Sequence, residues 1–314
     1  MVDRDSVTVT ARRLAELAPR MWENEAEAAA LIREELDSRG IDYRRQEYDV
    51  VYPEFPVYEL VVDGEELDCL PAGFASGEIT EKRVVNNLEV THGDLNQPNL
   101  NFNPQCHGLS KQTFYEAPAL TIARSDVHKV LEADEIDGRL EVEWVPYTSE
   151  NIIVGNAEDP KLLVFTHYDS WWGGFIDNAF SVSLLIHLLP DLDLDRVCIV
   201  FAGSEEVSDE EQYWCYGYRR FEDAYVDAVE NADRIAVVDT VGRGETQIVA
   251  DDDFLIGQAL VLDSRSYVDK TELLIGDFDA IMEIYHSPLD TEDAATHMDH
   301  AIDTVTDYLD RWMA

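Results

Sequence analysis

Leu162-Leu-Val-Phe-Thr-His167-Tyr-Asp169-Ser-Trp-Trp-Gly-Gly-Phe-Ile-Asp177-Asn178 is the stretch on which the reading of this chain turns. Its first five residues are an unbroken apolar and β-branched run, too short for a helix and typical of a strand buried on both faces. The run ends in an imidazole and a carboxylate. A glycine-bearing loop with two tryptophans follows, then a second acid at the start of an apolar helix. Outward from here the same grammar repeats, with strands expected at 151–155, 161–166, 196–202, 234–239 and 280–285. Helices are expected at 178–189, 205–230 and 291–313, and in the last Ala294, Met298, Ile302, Val305, Leu309 and Trp312 step by three or four. This alternation predicts an α/β fold: three layers, with a mostly parallel central sheet flanked by helices. In such sheets ligands bind outside the carboxyl ends of the strands.

Four of those five ends present a His, Asp or Glu. Leu162–Thr166 runs into His167 and Asp169, Ile199–Ser204 into Glu205 and Glu206, Ile235–Val238 into Asp239, and Ile281–Tyr285 into His286. Asp177 lies on the loop between the first two. Two imidazoles and several carboxylates suit zinc, which takes nitrogen and oxygen ligands and, in catalytic sites, leaves one position open. In extended chain His167 and Asp169 project to the same side, so Asp169 is placed to orient the imidazole. Glu205 and Glu206 point apart, so one suits a metal and the other a substrate water as general base. Asp177 is placed to bridge two ions. With 66 acids in 314 residues, a matching carboxylate is weak support; with only 8 histidines, two at strand ends weigh more.

Before residue 151 the pattern differs. The first 40 residues read as helical, with Leu14, Leu17 and Met21 at helical spacing, then Ala28, Leu31, Ile32 and Leu36 ahead of Gly40. Strands are expected at 42–52 and 57–62, the latter running into the Asp63-Gly64 turn. Residues 65–115 lack periodicity. A strand at 117–123, a short helix at 125–131 and a strand at 139–145 complete a small β-rich module, read as inserted over 55–146.

The formal charge of −43 excludes nucleic acid and anionic membrane surfaces as partners. An apolar fraction of 46% excludes a disordered acidic tail. A folded chain with only five lysines and this self-repulsion is expected to be halophilic, because salt near 1 M shortens the screening length to roughly 3 Å. The start Met1-Val-Asp-Arg-Asp does not read as a secretory signal, and no apolar run is long enough to span a bilayer. The four cysteines, Cys69, Cys106, Cys198 and Cys215, are widely spaced, and reduced thiols in a cytoplasmic protein are expected. A separate zinc site from Cys69, His92, Cys106 and His107 fits no standard spacing. His187 reads as structural and His297 and His300 as solvated.

His167-Tyr-Asp-Ser, Asp177-Asn-Ala, Glu205-Glu206, Val238-Asp239-Thr-Val-Gly and Tyr285-His286-Ser-Pro-Leu-Asp-Thr, in that order over about 120 residues, resemble the motif set of the bacterial leucyl aminopeptidase-type family. These are co-catalytic di-zinc exopeptidases related to glutaminyl cyclases, glutamate carboxypeptidase and the transferrin receptor, and the chain looks like a haloarchaeal-like member. The resemblance implies a zinc-exopeptidase-like fold, with 1–54 and 147–314 forming the peptidase domain and 55–146 resembling, more weakly, a protease-associated module. It implies one zinc on His167, Asp177 and Asp239 and another on Asp177, Glu206 and His286, with cobalt or manganese as alternatives. Glu205 would be the general base acting on a bridging water, Asp169 would orient His167, and Tyr285 would stabilise the oxyanion. The implied activity is release of N-terminal residues from a peptide or amino-acyl substrate. A single-zinc aminoacyl cyclotransferase and a non-catalytic scaffold are the alternatives, and Asn178 after Asp177 favours the hydrolase over the cyclase. Trp171 and Trp172 read as pocket wall or as loop packing. The segment Val207–Trp214 and the absence of a His in Gly276-Asp-Phe-Asp depart from the family pattern.

Overall fold

The computed structural model describes residues 2–263 and 265–312, without the side chains of residues 265 and 266. Two helices, α1 (Arg4–Ala15) and α2 (Glu23–Ser38), precede the long strand β1 (Tyr43–Val62). Short elements follow: β2 (Glu65–Glu66), β3 (Cys69–Pro71), β4 (Gly77–Ile79), β5 (Val84–Asn86), α3 (His92–Leu95), β6 (Asn99–Phe102), β7 (Ala119–Ile122) and α4 (Val127–Glu132). The long β8 (Ile136–Gly155) then leads into β9 (Leu162–His167), α5 (Phe180–Leu188), β10 (Val197–Ala202), α6 (Tyr216–Ala224), α7 (Val226–Asn231) and β11 (Arg234–Val238). The chain closes with β12 (Gln247–Val249), α8 (Asp253–Ala259), β13 (Thr271–Ile275), α9 (Phe278–Met282) and α10 (Met298–Asp310).

The chain divides into two compact units, one of Met1–Val50, Pro146–Ile281 and Asp290–Ala314, the other of Val51–Val145 and Met282–Leu289. In the first, the strands order as β12-β13-β11-β9-β10-β8-β1. The centre, β13-β11-β9-β10, is parallel, while β12 and β8 join antiparallel. Every residue of β9 and β10 is buried, as a central strand covered on both faces requires. Alternation divides them. Leu163, Phe165, Cys198, Val200, Ile235 and Val237 face Tyr218, Phe221, Ala228 and Val229 of α6 and α7. On the other side α5 packs against β9, α1 and α2, and α1 against α10. The result is the expected α/β sandwich. Helix α1 starts at an Asp3 cap whose carboxylate accepts the Ser6 N–H at 3.1 Å. Helix α10 buries Met298, Ala301, Ile302, Val305, Tyr308 and Leu309, the stripe read from the sequence with its frame slightly shifted.

The second unit holds a four-stranded sheet, β3-β7-β6-β5, and the pairing of β4 with the first half of β8. Leu60, Ile79, Leu100, Leu120, Ile122, Val130 and Leu140 share its core. Among the described residues no helix is long and apolar enough to cross a membrane.

Several element readings change. The strand expected at 280–285 is helix α9 followed by a turn, and the parallel strand is β13, just before it. Asp277 caps that helix, its carboxylate accepting the Ala280 N–H at 2.9 Å, and apolar Ile281, Met282 and Ile284 fit either period. The helix expected at 205–230 is an irregular loop and two short helices. There Arg219 donates to the carbonyls of Glu211 and Gln212 at 3.1 and 2.9 Å, which satisfies a loop the sequence disguises as helix. The pairs of strands expected at 42–52 and 57–62, and at 139–145 and 151–155, are each one continuous strand of 20 residues. Their prolines, Pro53, Pro56 and Pro146, sit in extended backbone that proline itself favours. The expected helix 291–313 begins as a single turn at Glu292–Ala294 and regularises at Met298; its residue 313 lies outside the described residues.

Candidate metal centre

Register places the first two candidate ligands. On β9 and β11, Phe165 is level with Val237, so two residues further His167 stands level with Asp239 at the ends of adjacent parallel strands. Ala202 on the other neighbour is also level with His167, which brings Glu205 and Glu206 out just beyond. Thr240 and Ser204 take left-handed backbone, φ 50° and 53°, where the chain leaves these strands. Non-glycine residues seldom adopt that conformation outside constrained sites. Gly203 has no alternative, because a Cβ there would strike the carboxylate of Glu25 and the hydroxyl of Ser149.

Asp177 comes from the loop between β9 and α5. Gly174 allows its turn, with φ +65° and a position where a Cβ would lie 2.7 Å from the Asp177 carbonyl oxygen. The peptide between Asp177 and Asn178 is cis. The buried Asn178 amide donates to Thr166 Oγ1 at 3.2 Å and to the Val238 carbonyl at 3.1 Å, and its oxygen accepts the Thr240 N–H at 3.2 Å. One side chain thereby ties the loop to the ends of both strands.

His167 is 1% exposed. Its Nε2 lies 3.2 Å from Asp177 Oδ1 and 3.4 Å from Asp239 Oδ1. A tetrahedral zinc with bonds of about 2.0 Å separates its ligand atoms by about 3.3 Å. The two edges from Nε2 therefore already have the right length, and the group's ligand atoms all lie within 4.8 Å of one another. Asp239 Oδ1 is buried and accepts no hydrogen bond, an acceptor suited to a cation. These residues fit the ion that the sequence implied. On its far side the ring faces Asp169, with Nδ1 at 3.2 Å from that residue's carbonyl oxygen and 3.5 Å from its Oδ1. The carbonyl, at hydrogen-bond distance, accepts the Nδ1–H and leaves the Nε2 lone pair on the side of Asp177 and Asp239. The Asp169 carboxylate works elsewhere: Oδ2 accepts the Glu206 N–H at 2.8 Å and fixes the loop after β10.

Glu205 and Glu206 are both buried. Cys215, at φ 59°, holds Glu205 from two sides, its N–H donating to the Glu205 carbonyl at 2.6 Å and its Sγ to Oε1 at 3.1 Å. Burial, joined by the charges of Glu206, Asp169 and Asp239, pushes the Glu205 carboxyl well above its usual range against the pull of His167. Burial would lower the His167 imidazole, yet Asp239, Glu205, Asp169 and Asp177 outweigh it and hold the ring well above its ordinary value. Four carboxylates thus crowd one buried imidazole. A divalent cation offsets that repulsion directly.

His286 and Tyr285 belong to the other unit, after α9. His286 takes φ 45°, and its Nδ1 lies 2.9 Å from the Lys111 carbonyl, which assigns the proton to Nδ1. The Tyr285 ring stacks on it with centroids 3.8 Å apart. Trp171 is buried with its ring edge-on to Trp22 at 5.9 Å, a packing residue, and Trp172 stacks against it. His187 contacts Thr10 and Arg39, and His297 and His300 lie exposed with neighbouring threonines as partners. Among the described residues, Cys69, His92, Cys106 and His107 form no group with metal-ligand spacing. All four cysteines are free and buried.

Three residues at the first unit's site escaped the sequence reading. Cys215 is one. Arg20, fully buried, donates to the carbonyls of Tyr168, Gly174 and Asp177, and Asp290 accepts the N–H groups of Ile176 and Asp177. Burial raises Asp290 to about 7 against the pull of those two N–H groups and of Arg20. The only available signal for Asp290 was its place four residues after His286.

No family model and no curated protein matches the sequence. The fold is similar to that of a zinc aminopeptidase from Bacillus subtilis, with a TM-score of 0.70 at 16% identity over 98% of this chain and 94% of that one. It is also similar to a peptidase M28 precursor from Shewanella amazonensis, TM-score 0.61 at 16% identity over 99% and 97%. A glutaminyl cyclase from Porphyromonas gingivalis gives TM-score 0.53 at 13% identity over 99% and 98%. At such identities the likeness is one of fold.

Proposed function

We propose that this chain is a zinc-dependent aminopeptidase that hydrolyses N-terminal residues from peptides. The observation that supports the reading is the spacing of His167 Nε2 from Asp177 Oδ1 and from Asp239 Oδ1, 3.2 and 3.4 Å, which are edge lengths of a tetrahedral site, in a group whose ligand atoms all lie within 4.8 Å of one another. His167, Asp177 and Asp239 would hold one ion, and Asp177, Glu206 and His286 a second. Bound zinc supplies Lewis acidity and a water acidic enough to ionise near neutral pH. Glu205 would take the proton of the attacking water and pass it to the departing amine. Cys215 occupies its Oε1, so the proton travels on Oε2. Asp169 and the carbonyl it carries keep His167 in the ligating tautomer, while Tyr285 would donate to the developing oxyanion. The surplus of buried carboxylates suits a substrate with a free, protonated α-amino group.

The test uses the purified chain in high salt with a panel of amino-acyl arylamides. Arylamine release, its loss on chelation, its return with zinc, and a metal content near two per chain are the expected results. A metal content near one, with cyclisation of N-terminal glutamine and no arylamide turnover, would replace the reading by an aminoacyl cyclotransferase. Bound metal without turnover of any substrate would leave only a scaffold.

A further inference from the structure

His167 and Asp239 are placed by strand register, but Asp177 sits on a loop and has no such rail. What holds it is a pair of buried side chains that grip its peptide units from opposite sides. Asp290, 2% exposed, accepts the Ile176 N–H on Oδ1 at 2.7 Å and the Asp177 N–H on Oδ2 at 3.0 Å. Arg20, 0% exposed, donates from Nε to the Tyr168 carbonyl at 2.5 Å, and from Nη2 to the carbonyls of Gly174 at 3.0 Å and Asp177 at 3.3 Å. The Arg20 carbonyl in turn accepts the Ser170 N–H at 3.3 Å. The two groups flanking the Asp177 side chain, its own N–H and its own C=O, are therefore taken by a carboxylate and a guanidinium.

We propose that Arg20 and Asp290 are positioning residues, a cross-brace that sets the Asp177 carboxylate in its ligating position before any cation arrives. The proposal rests on the reading of Asp177 as a metal ligand. Two features set the pair apart from ordinary buried polar contacts. Neither side chain makes its hydrogen bonds to the Asp177 carboxylate; both act through the peptide groups that aim it. A planar guanidinium also has the fixed fork needed to reach three carbonyls at once, which an ammonium lacks. Arg20 further places a positive charge near the carboxylates of Asp177, Asp290, Asp169 and Glu206, easing their repulsion when no ion is bound. Ligands held to within about 0.5 Å by such support bind metal more tightly than ligands that must first be ordered.

The full chain carrying Arg20→Lys or Asp290→Asn, stripped with chelator and dialysed, tests this. Circular dichroism and thermal unfolding of the metal-free proteins establish that they are folded. Cobalt(II) is then titrated by its visible absorption, and zinc by competition with a chromophoric chelator. Affinity at the first site should fall roughly 10–100-fold with a changed cobalt spectrum. The double variant should lose less than the product of the two single losses, because both act on the same peptide groups. Wild-type affinity and spectrum in either folded single variant would overturn the brace. If Asp290→Asn does not fold, Asp290→Glu, which keeps the charge but displaces it by one methylene, carries the same expectation. Asp177→Asn distinguishes the two levels. If it also binds cobalt like wild type, the ligand reading itself fails; if it loses binding while the brace variants do not, only the brace fails.

Discussion

At the scale of single residues the candidate site separates groups that offer donor atoms from groups that aim them, and of the latter only Asp169 was legible in the sequence. An apolar strand announces its own end, so His167, Glu205, Glu206 and Asp239 could be found by looking where β9, β10 and β11 stop. Arg20 and Asp290 bind backbone atoms, and no residue pattern encodes a side chain whose partners are carbonyls and N–H groups of a distant loop. Asp290 was also hidden among 66 acids. The division makes a prediction for Glu205. In Glu205→Gln the side chain keeps its size and still accepts from Cys215, but it cannot carry a proton. The turnover number should fall by about 10²–10⁴-fold, with KM and zinc content little changed. Steady-state kinetics beside metal analysis would show this, and a loss under tenfold would remove Glu205 from the role of base.

At the scale of elements, burial on both faces made the parallel strands readable, and capping decided the cases where periodicity was ambiguous. Residues 280–285 have a strand's composition, yet the Asp277 cap starts a helix there. Residues 205–230 have a helix's composition, yet the site needs an irregular loop to bring Glu205 and Glu206 inward. The helical layer supplies a pH-sensitive contact of its own. On α5, half-buried His187 meets Thr10 Oγ1 at 3.2 Å on α1 and the Arg39 guanidinium at 2.9 Å just past α2. Burial, then the charge of Arg39, lowers this imidazole, with Glu35 and Asp3 opposing. Its unfolded counterpart takes up a proton near 6.5. Between that value and the lower folded value the unfolded chain binds more protons, so stability is lost as pH falls through the window. Thermal unfolding from about pH 7 to about pH 5 should show a shallower acid loss in His187→Gln than in wild type. Parallel curves would dismiss the contact as a pH-sensitive one.

At the scale of the whole molecule, the charge of −43 makes salt the variable to test. The basic residues are spent locally, in arrays such as Arg13 and Arg39 on Glu35, or Arg33 and Arg45 on Glu150. Such pairs leave most carboxylates without a partner cation, and at low ionic strength these repel one another across the surface. The midpoint of thermal unfolding should therefore climb as potassium chloride rises from about 0.1 M to about 2 M, the range over which surface repulsion is screened out. A flat or falling curve would contradict the halophilic reading.

The lateral match between β9 and β11 has a temporal side. Thr166 and Val238, each one residue before a candidate ligand, are hydrogen-bonded to each other although 72 residues apart in the chain. Contacts of such span cost loop entropy and form slowly. A nascent chain that has emerged only as far as α5 holds one of the two candidate imidazoles and its loop acid, too few donors for a tight site. On the metal-centre reading, an ion arriving early would have nothing to gather. It would seal the sheet after the strands have zipped, without telling them how to zip.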